Sequence, residues 1–408
     1  MKECFIGFGK CSKFYIFIAA NVLFNTISYF SYQYSLFKNI LVVKNLFQYF
    51  SFSLFGYILL YLEKKKTIKE TKLIDNNSVI IATKDIIELF LICLIFVIFN
   101  DTEQIIDSLG FYDLEFWTIN ILCMLLFMRI YFPSNIYKHR AISMLIIIVV
   151  DSGLLILCSF YKTINNNDVE FINIYQKMDN YWKYAFFFFL YAIIIFFISF
   201  AQVKAKVLMD LKFLSPYAII FLIGIFGFII NIILAIIFLI KGKECEDNNT
   251  EDIYYFYSVT KYFCKWSKLE NWYCVVKELI LIIAFLFFPF LTKACEFFII
   301  KFLYPNFLLM STTVYYEFVR LKEYLEYVFN KKVSNLDSGH HEKFIVFEIS
   351  EFLEFICCLI YLEILELRFC GLDKYLKKNI TKRAETESAI INFDDPLYDQ
   401  NNNSNIEE

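Results

Sequence analysis

The sequence predicts an all-α integral membrane protein with ten transmembrane helices, arranged as two inverted five-helix halves. Of its 408 residues, 59% are hydrophobic and only 20% are charged, and the mean hydropathy is +0.54. Soluble domains are about 45–50% apolar and about 25% charged. Their cores are too small to bury 50 Phe and 29 Tyr. This composition excludes soluble enzymes, collagenous and disordered chains, disulfide-rich scaffolds and nucleic-acid-binding domains.

Ten segments are long and apolar enough to cross the hydrocarbon layer, which takes about 20 residues of helix. Their apolar runs are too long, and alternate too little, to be the strands of a membrane β-barrel. The first segment has no small-residue cleavage site, so we interpret it as a retained helix rather than a signal peptide. The ten predicted spans are 14–34, 46–62, 79–99, 114–132, 138–160, 183–204, 216–240, 272–300, 305–330 and 343–367.

Lysines and arginines predict which side of the membrane each loop occupies, because cytosolic loops are the more basic ones. With a cytosolic N-terminus, the basic stretches at 64–72, 204–212 and 368–383 all fall on the cytosolic side. Both termini are then cytosolic, which requires an even number of spans. Ten spans with both ends inside suit two five-helix halves of opposite orientation, a layout that occurs among transporters.

The predicted spans and the stretch that follows them divide the chain into three regions. Residues 1–204 hold spans one to six and are the predicted N-terminal half, and residues 205–367 hold spans seven to ten and are the predicted C-terminal half. Residues 368–408 begin with a basic collar that suits an anionic cytosolic leaflet. They end in an acidic tail with too little apolar surface to fold alone. Membrane lipid is therefore an expected partner.

Proline and glycine mark two features of the later spans. Pro216 and Pro305 lie where the seventh and ninth spans begin, and a proline at the first helical position loses no hydrogen bond. Gly224 and Gly227 leave a groove on the seventh span that lets another helix approach closely. We interpret this glycine pair first as a packing feature, and second as part of a substrate path.

Five short motifs lie at or near the starts of the fifth, seventh and ninth spans. They are Ile-Tyr-Lys-His-Arg at 136–140, Lys-Val-Leu-Met-Asp at 206–210, Leu-Ser-Pro-Tyr at 214–217, Gly-Ile-Phe-Gly at 224–227 and Lys-Phe-Leu-Tyr-Pro at 301–305. In this span order the chain resembles the drug/metabolite transporter superfamily, in its nucleotide-sugar-transporter-like, solute-carrier-type protist branch. The resemblance implies transport and an endomembrane location, in the Golgi or the endoplasmic reticulum.

The chain departs from the substrate motifs of that branch. Nucleotide-sugar carriers of this superfamily have an Asn-rich motif on the seventh helix and a Gly-Ala-Leu-Asn-Lys motif on the ninth. Here the seventh span has the single Asn231, and the ninth has Ser-Thr-Thr-Val-Tyr-Tyr-Glu at 311–317. The resemblance therefore implies the fold and transport in general, and no nucleotide-sugar specificity.

The ninth span carries the first candidate substrate-binding residues, because ionisable groups inside a membrane are costly and face a cavity or a partner. Glu317 lies at its middle, with Arg320 on the same helix face. The two side chains either neutralise each other as a buried ion pair, or line a central cavity in which Arg320 binds an anionic substrate group. Tyr316, next to Glu317 in the sequence, either contacts substrate or packs against neighbouring side chains.

Two further candidate substrate-binding residues lie on other spans. Asn231 is central on the seventh span, and it either links helices through hydrogen bonds or contacts substrate. Lys277 lies about one turn inside the luminal end of the eighth span. It either binds substrate or extends its ammonium group to the membrane interface.

Three carboxylates lie inside the fifth and tenth spans, the equivalent helices of the two halves. They are Asp151, Glu351 and Glu354. In the resembled superfamily these helices lie at the periphery or in a dimer contact, so the resemblance implies contacts between helices or subunits, with a homodimer as the candidate assembly. The second alternative is proton coupling, which needs a carboxylate that takes up a proton near neutral pH.

Catalytic and cofactor motifs are absent from the sequence, which has no GxSxG, HExxH, P-loop or zinc-spaced CxxC. We therefore predict no enzyme, no cofactor and no metal site. The expected function is a secondary transporter that moves a small polar or anionic metabolite by alternating access, with a small-molecule substrate and no nucleic acid as partner. The alternatives are a receptor or scaffold that transports nothing, and a membrane-embedded lipid-modifying enzyme.

Overall fold

The computed structural model describes residues 6–8, 15–36, 38, 40–71, 83–108, 117–132, 140–150, 153, 181–241, 259–267, 271–303, 305–315, 319, 352–367 and 379. These residues are almost entirely helical. In chain order the helices are α1 (Tyr15–Gln33), α2 (Leu41–Thr71), α3 (Thr83–Ser108), α4 (Trp117–Tyr131), α5 (Arg140–Val150), α6 (Tyr181–Leu211), α7 (Pro216–Lys241), α8 (Val259–Ser267), α9 (Trp272–Phe302), α10 (305–315) and α11 (Phe352–Tyr361).

Two short strands join the beginning of the described chain to the segment after α11. Strand β1 (Ile6–Phe8) pairs antiparallel with β2 (Leu365–Leu367), and Ile6 lies opposite Leu367. The two ends of the helical region are therefore held side by side.

Four of the described helices are long and apolar enough to cross a membrane. They contain the segments Leu41–Lys65, Phe189–Leu211, Pro216–Ile237 and Trp272–Phe302. Shorter apolar helical segments cover Ile119–Tyr131, Arg140–Val150 and Phe352–Tyr361. The prediction of a helical membrane protein is confirmed at this level, and the count of ten spans stays a prediction.

Apolar residues lie on the outside of these helices, and polar residues lie between them. Ile58 on α2, Ile233 on α7 and Ile283 on α9 are all exposed. By contrast, Ser51 on α2 and Asn231 on α7 are fully buried. A soluble protein of this size would not expose so many large apolar side chains, so this distribution suits a lipid environment.

The helices pack around a core whose largest fully buried side chains include Phe52, Met124 and Phe297. Helix α2 packs most extensively against α7, and α1 packs against α9. Helix α3 contacts α6 and α7, α4 contacts α6, and α9 also contacts α2, α6 and α7. Helix α8 packs on α2 and α7, and the ring of Tyr262 on α8 meets the ring of Phe47 on α2 edge to face.

Glycines bring the backbones of α2 and α7 close together, as the sequence predicts for Gly224 and Gly227. A methyl group added at Gly224 would lie 2.7 Å from the carbonyl carbon of Phe52 and would also collide with the backbone of Ser53. A methyl group at Gly227 would run into the ring of Tyr49. On the opposite helix, one at Gly56 would lie 3.0 Å from the Cα of Phe221. The packing interpretation of this glycine pair is confirmed.

Helix boundaries agree with the sequence where proline begins a helix, and differ where a polar residue is buried. Helix α7 begins at Pro216, and α10 begins at 305. Helix α3 continues to Ser108, although the predicted third span ends at 99. The reason is that Asp101 is buried by partners on neighbouring helices and does not need to reach water. The short helix α8 was not predicted; it lies within the connection between the seventh and eighth spans.

Candidate functional site

A polar cavity of about 210 Å³ lies between α1, α2, α3, α9 and α10. Its polar lining includes Lys44 and Gln48 of α2, Gln104 of α3, and Lys293 and Glu296 of α9. Hydroxyl and amide side chains of α1 and α10 complete the wall. Two lysines and several hydrogen-bonding groups thus face one space inside a bundle whose outer surface is apolar, which is typical of a site for a polar ligand.

An ion pair forms the α9 side of this cavity. The Nζ atom of Lys293 lies 2.5 Å from Oε2 of Glu296, one turn further along the helix. Both side chains are largely shielded, with 15% and 23% of their surfaces exposed. The pair is neutral as a whole, which lowers the free energy of keeping two charges inside the bundle, but each charge remains beside the cavity.

Lys44 forms the opposite side of the cavity and connects it to α3. Its Nζ atom donates a hydrogen bond to Oε1 of Gln104 over 3.4 Å and lies 5.1 Å from the centre of the Tyr32 ring. Both contacts suit an ammonium group, because an aromatic face and an amide oxygen each carry partial negative charge. Lys44 therefore provides a second positive charge at the cavity, separate from the ion pair on α9.

Pro289 lies inside α9, buried, at the turn that lines the cavity. Proline has no backbone N–H, so the helical hydrogen-bond ladder is interrupted at this turn. Helix α9 stays helical through Pro289, so the effect is one missing backbone hydrogen bond at the turn where the polar groups gather.

A buried hydrogen-bond chain next to the cavity connects α1, α9 and α10. The side-chain amide of Asn21 donates to the backbone carbonyl of Thr292 over 3.1 Å, and its oxygen accepts from the hydroxyl of Ser311 over 2.7 Å. Asn21 and Ser311 are buried. This chain fixes the three helices relative to one another on one side of the cavity.

A second polar cluster, which we call the Asp101 cluster, comprises Asp101, Asn45, Tyr49 and Asn231 and lies between α2, α3 and α7. Asp101 accepts hydrogen bonds from the Tyr49 hydroxyl at 2.6 Å, the Asn231 amide at 2.8 Å and the Asn45 amide at 3.3 Å. The Asn231 amide also donates to the Gly227 carbonyl over 2.9 Å. All four side chains are buried, each at least 95%. Lys44 of α2 and Gln104 of α3 line the cavity and also lie beside this cluster. The Asp101 cluster therefore adjoins the cavity.

Comparison with known proteins identifies no family for this chain. No protein-family model matches it, and no curated protein matches it. The resemblance to drug/metabolite transporters therefore stays a prediction, and the cavity and the Asp101 cluster carry the functional interpretation.

The predicted residues of the ninth span lie at the edge of the described chain. Tyr316, Glu317 and Arg320 are outside the described residues, but the preceding Tyr315 lines the cavity. The ninth span therefore reaches the cavity at the residue before the predicted site. The roles predicted for Glu317 and Arg320 stay predictions.

The remaining predicted site residues lie in three different places. Asn231 is buried in the Asp101 cluster and does not line the cavity. Lys277 is exposed near the beginning of α9, also away from the cavity. Glu354 is buried on α11, whereas Asp151 and Glu351 lie outside the described residues. The structure thus does not bring Asn231, Lys277 and Glu354 together.

The charged residues of the site, Lys44, Asp101, Lys293 and Glu296, were not predicted from the sequence. Lys293 lies within the predicted eighth span, and a charge inside an apolar run is the signal that identifies it. Asp101 and Gln104 lie three residues apart, as do Lys293 and Glu296, a spacing that puts each pair on one helix face. Lys44 lies just before the predicted second span, so its helical position was visible only in the structure.

Proposed function

We propose that the chain is a multi-span secondary transporter that moves a small polar or anionic metabolite across an endomembrane by alternating access. The observation that carries this proposal is the cavity itself. Lys44, Lys293 and several amide and hydroxyl groups face it, and Pro289 of α9 lies beside it. A receptor or scaffold has no need of two charged side chains along an internal space, since charges are costly at membrane depth.

The charges of the cavity favour an anion as the ligand. Lys293 is paired with Glu296, and Lys44 lies at the same cavity, so the described lining holds two lysines and one carboxylate. A carboxylate or phosphate group in the cavity would form charge-assisted hydrogen bonds with a lysine, which are stronger than neutral ones. We assign the substrate-binding role to Lys44 and Lys293.

The pattern of helix contacts supports two five-helix halves of the same fold. In this comparison α1 to α5 of the first half correspond, in order, to α6, α7, α9, α10 and α11 of the second half. Exchanging the halves turns the contact of α1 with α9 into a contact of α6 with α3. Both contacts occur. The contact of α9 with α2 likewise corresponds to that of α3 with α7. Helices α2 and α7 are each other's counterparts, so their contact is unchanged when the halves are exchanged. The same holds for α5 and α11, where the Ser143 hydroxyl donates a hydrogen bond to the Cys357 carbonyl.

Under this correspondence we propose a boundary between the halves before α6, whereas the division of the predicted spans puts it at 204/205. Ten spans and membership of the drug/metabolite transporter superfamily remain parts of the proposal. So do the Golgi or endoplasmic reticulum location and a homodimeric assembly.

The strand pair supports an even number of spans. Because β1 at residues 6–8 pairs with β2 at residues 365–367, the chain enters and leaves the helical region on the same side. A chain that ends on the side where it began crosses the membrane an even number of times. We propose that this side is the cytosol, because basic residues follow β2 within 368–383.

Uptake by vesicles that contain the purified protein tests the proposal. We expect the wild-type protein to accumulate at least one of a panel of radiolabelled phosphate, succinate, nucleotide-sugars and amines. Lys293→Gln should lower uptake of an anion by about tenfold, because it removes a charge-assisted contact worth about 1.4 kcal/mol or more. Glu296→Gln should retain anion uptake, since it leaves the positive charge of Lys293 at the cavity.

Lys277→Gln is the matched control for this experiment. Lys277 is also a lysine of α9, but it is exposed and does not line the cavity, so uptake should be unchanged. Loss of uptake in Lys277→Gln together with normal uptake in Lys293→Gln would favour the residue predicted from the sequence over the cavity. A wild-type protein that folds but transports no member of the panel would favour the receptor or scaffold alternative.

A further inference from the structure

We propose that Asp101 is a proton-binding carboxylate that couples transport through the neighbouring cavity to the movement of a proton. This inference rests on the proposed transport function. It assigns a new role, since the carboxylates considered for proton coupling from the sequence are Asp151, Glu351 and Glu354. The coupling step is the binding of one proton from water to a carboxylate oxygen of Asp101, and its later release to water on the other side.

Among the described residues, the groups that bond to the Asp101 carboxylate are neutral donors, and none of them is a salt-bridge partner. The Tyr49 hydroxyl and the amides of Asn45 and Asn231 donate to Asp101 over 2.6, 3.3 and 2.8 Å. All three donors are neutral, and Asp101 is 5% exposed. A carboxylate held by neutral donors loses less on protonation than one held by a salt bridge, because no opposite charge is left unpaired. The cluster therefore suits a group that changes charge.

The same cluster also has the acceptors that a protonated carboxyl group needs. The side-chain oxygens of Asn45 and Asn231 are buried and have no hydrogen-bond partner among the described residues. Rotation of the Asn45 amide by about half a turn would point its oxygen at Asp101, where it accepts from the carboxyl O–H. Asn45 is the residue suited to this rotation, since its bond to Asp101 is long at 3.3 Å and Asn231 is also tied to Gly227. Both charge states of Asp101 thus have partners.

In the part of the chain that the structure describes, few other ionisable groups face Asp101. On α2 they are Lys44, which acts on it by charge, and Tyr49, which donates to it; α7 contributes the neutral Asn231. On α3 itself, Glu103 accepts from Tyr191 of α6. On α9, which also packs against α2 and α7, Lys293 and Glu296 pair with each other.

Lys44 connects the proton site to the cavity. It lines the cavity, binds Gln104 one turn beyond Asp101 on α3, and is the cation whose charge acts on Asp101. An anion bound at Lys44 would offset part of the positive charge that favours the ionised carboxylate, and would thereby favour proton binding at Asp101. A bound proton would in turn strengthen anion binding by the same free energy. The expected coupling is therefore co-transport of anion and proton in the same direction.

A sodium ion fits this cluster less well than a proton. The three groups that point at Asp101 do so through N–H or O–H, and these donors repel a cation. Sodium would need oxygen ligands around it. Protection of Asp101 by sodium at constant pH is therefore an outcome that would overturn the proton assignment.

Labelling with dicyclohexylcarbodiimide, which modifies protonated carboxyl groups in apolar surroundings, tests the proton site without any substrate. In the purified full chain, peptide mass spectrometry should find Asp101 modified in acidic buffer and protected in alkaline buffer. Tyr49→Phe removes one donor to the ionised carboxylate, so modification should persist at more alkaline pH. Modification that does not change with pH, or none at Asp101, would overturn the proposal.

Transport assays test the coupling and separate it from the proposed function. With radiolabelled phosphate and succinate as probes, vesicles with Asp101→Asn should lose accumulation driven by a pH gradient and keep exchange of labelled for unlabelled anion. Glu88→Gln is the matched control, since Glu88 is a carboxylate on the same helix that pairs with Lys204 and does not line the cavity, and it should retain both. Gradient-driven accumulation by Asp101→Asn would overturn the coupling alone. Absence of any transport by the wild type, with pH-dependent labelling intact, would overturn the transport function and the coupling but not proton binding.

Discussion

Replacing Gly224 with alanine is expected to destabilise the folded protein by about 3 kcal/mol, the upper part of the range for overpacking a close contact. The added Cβ would lie 2.7 Å from the carbonyl carbon of Phe52 and would also collide with the backbone of Ser53. Neither atom belongs to a flexible side chain, so α2 and α7 would have to separate along their most extensive contact. The same separation would loosen the Asp101 cluster, because Tyr49 and Asn231 lie on these two helices.

Unfolding by dodecyl sulfate in mixed micelles, followed by circular dichroism, measures this change. Gly153→Ala is the matched control: Gly153 is also helical, and a Cβ there meets no described atom within 4 Å. We expect the control to unfold at the wild-type midpoint or slightly above it, because alanine favours helix over glycine. Equal midpoints for Gly224→Ala and the wild type would show that α2 and α7 are not in close contact.

Replacing Phe297 with alanine is expected to cost about 3 kcal/mol by leaving a cavity in the core. Phe297 is only 1% exposed, and its ring meets the Phe96 ring edge to face, with 5.7 Å between centroids. Between membrane helices, packing provides much of the stability because lipid is as apolar as the side chains. Neighbouring side chains can refill the lost volume only in part, so the contact energy is not recovered.

The same dodecyl sulfate titration applies here, with Phe287→Ala as the matched control. Phe287 lies on the same helix but is 44% exposed, so lipid or detergent can occupy the space that its ring leaves. We expect a clearly smaller loss for this variant than for Phe297→Ala. If the two substitutions destabilised the protein equally, the core position of Phe297 would be wrong.

The sequence was sufficient for features that depend on local chemistry. Apolar runs predict the long helices, because length and hydropathy set what can cross a bilayer. Pro216 marks the beginning of α7 because its fixed backbone angle suits the first turn. Gly224 and Gly227 predict a close helix contact because they lack side chains, although nothing in the sequence says that the partner is α2.

Features that depend on contacts between distant segments were not predictable in this way. The predicted third span ends at 99, just before Asp101, and only the partners of Asp101 on α2 and α7 explain why the helix continues. The cavity likewise combines residues of α1, α2, α3, α9 and α10. Hydropathy identifies Lys293 as an unusual charge inside an apolar run, but it does not reveal the cavity that Lys293 faces. The roles of Glu317 and Arg320 remain predictions.

The crossing of α2 and α7 has a mechanical consequence for any carrier built on this bundle. Helices whose backbones touch can tilt about the point of contact, but cannot slide past each other without forcing atoms together. Helix α2 has 31 residues and is therefore about 46 Å long, so a tilt of about 10° at a crossing near its middle moves each end by about 4 Å. The crossing would then be the pivot about which the two helices tilt.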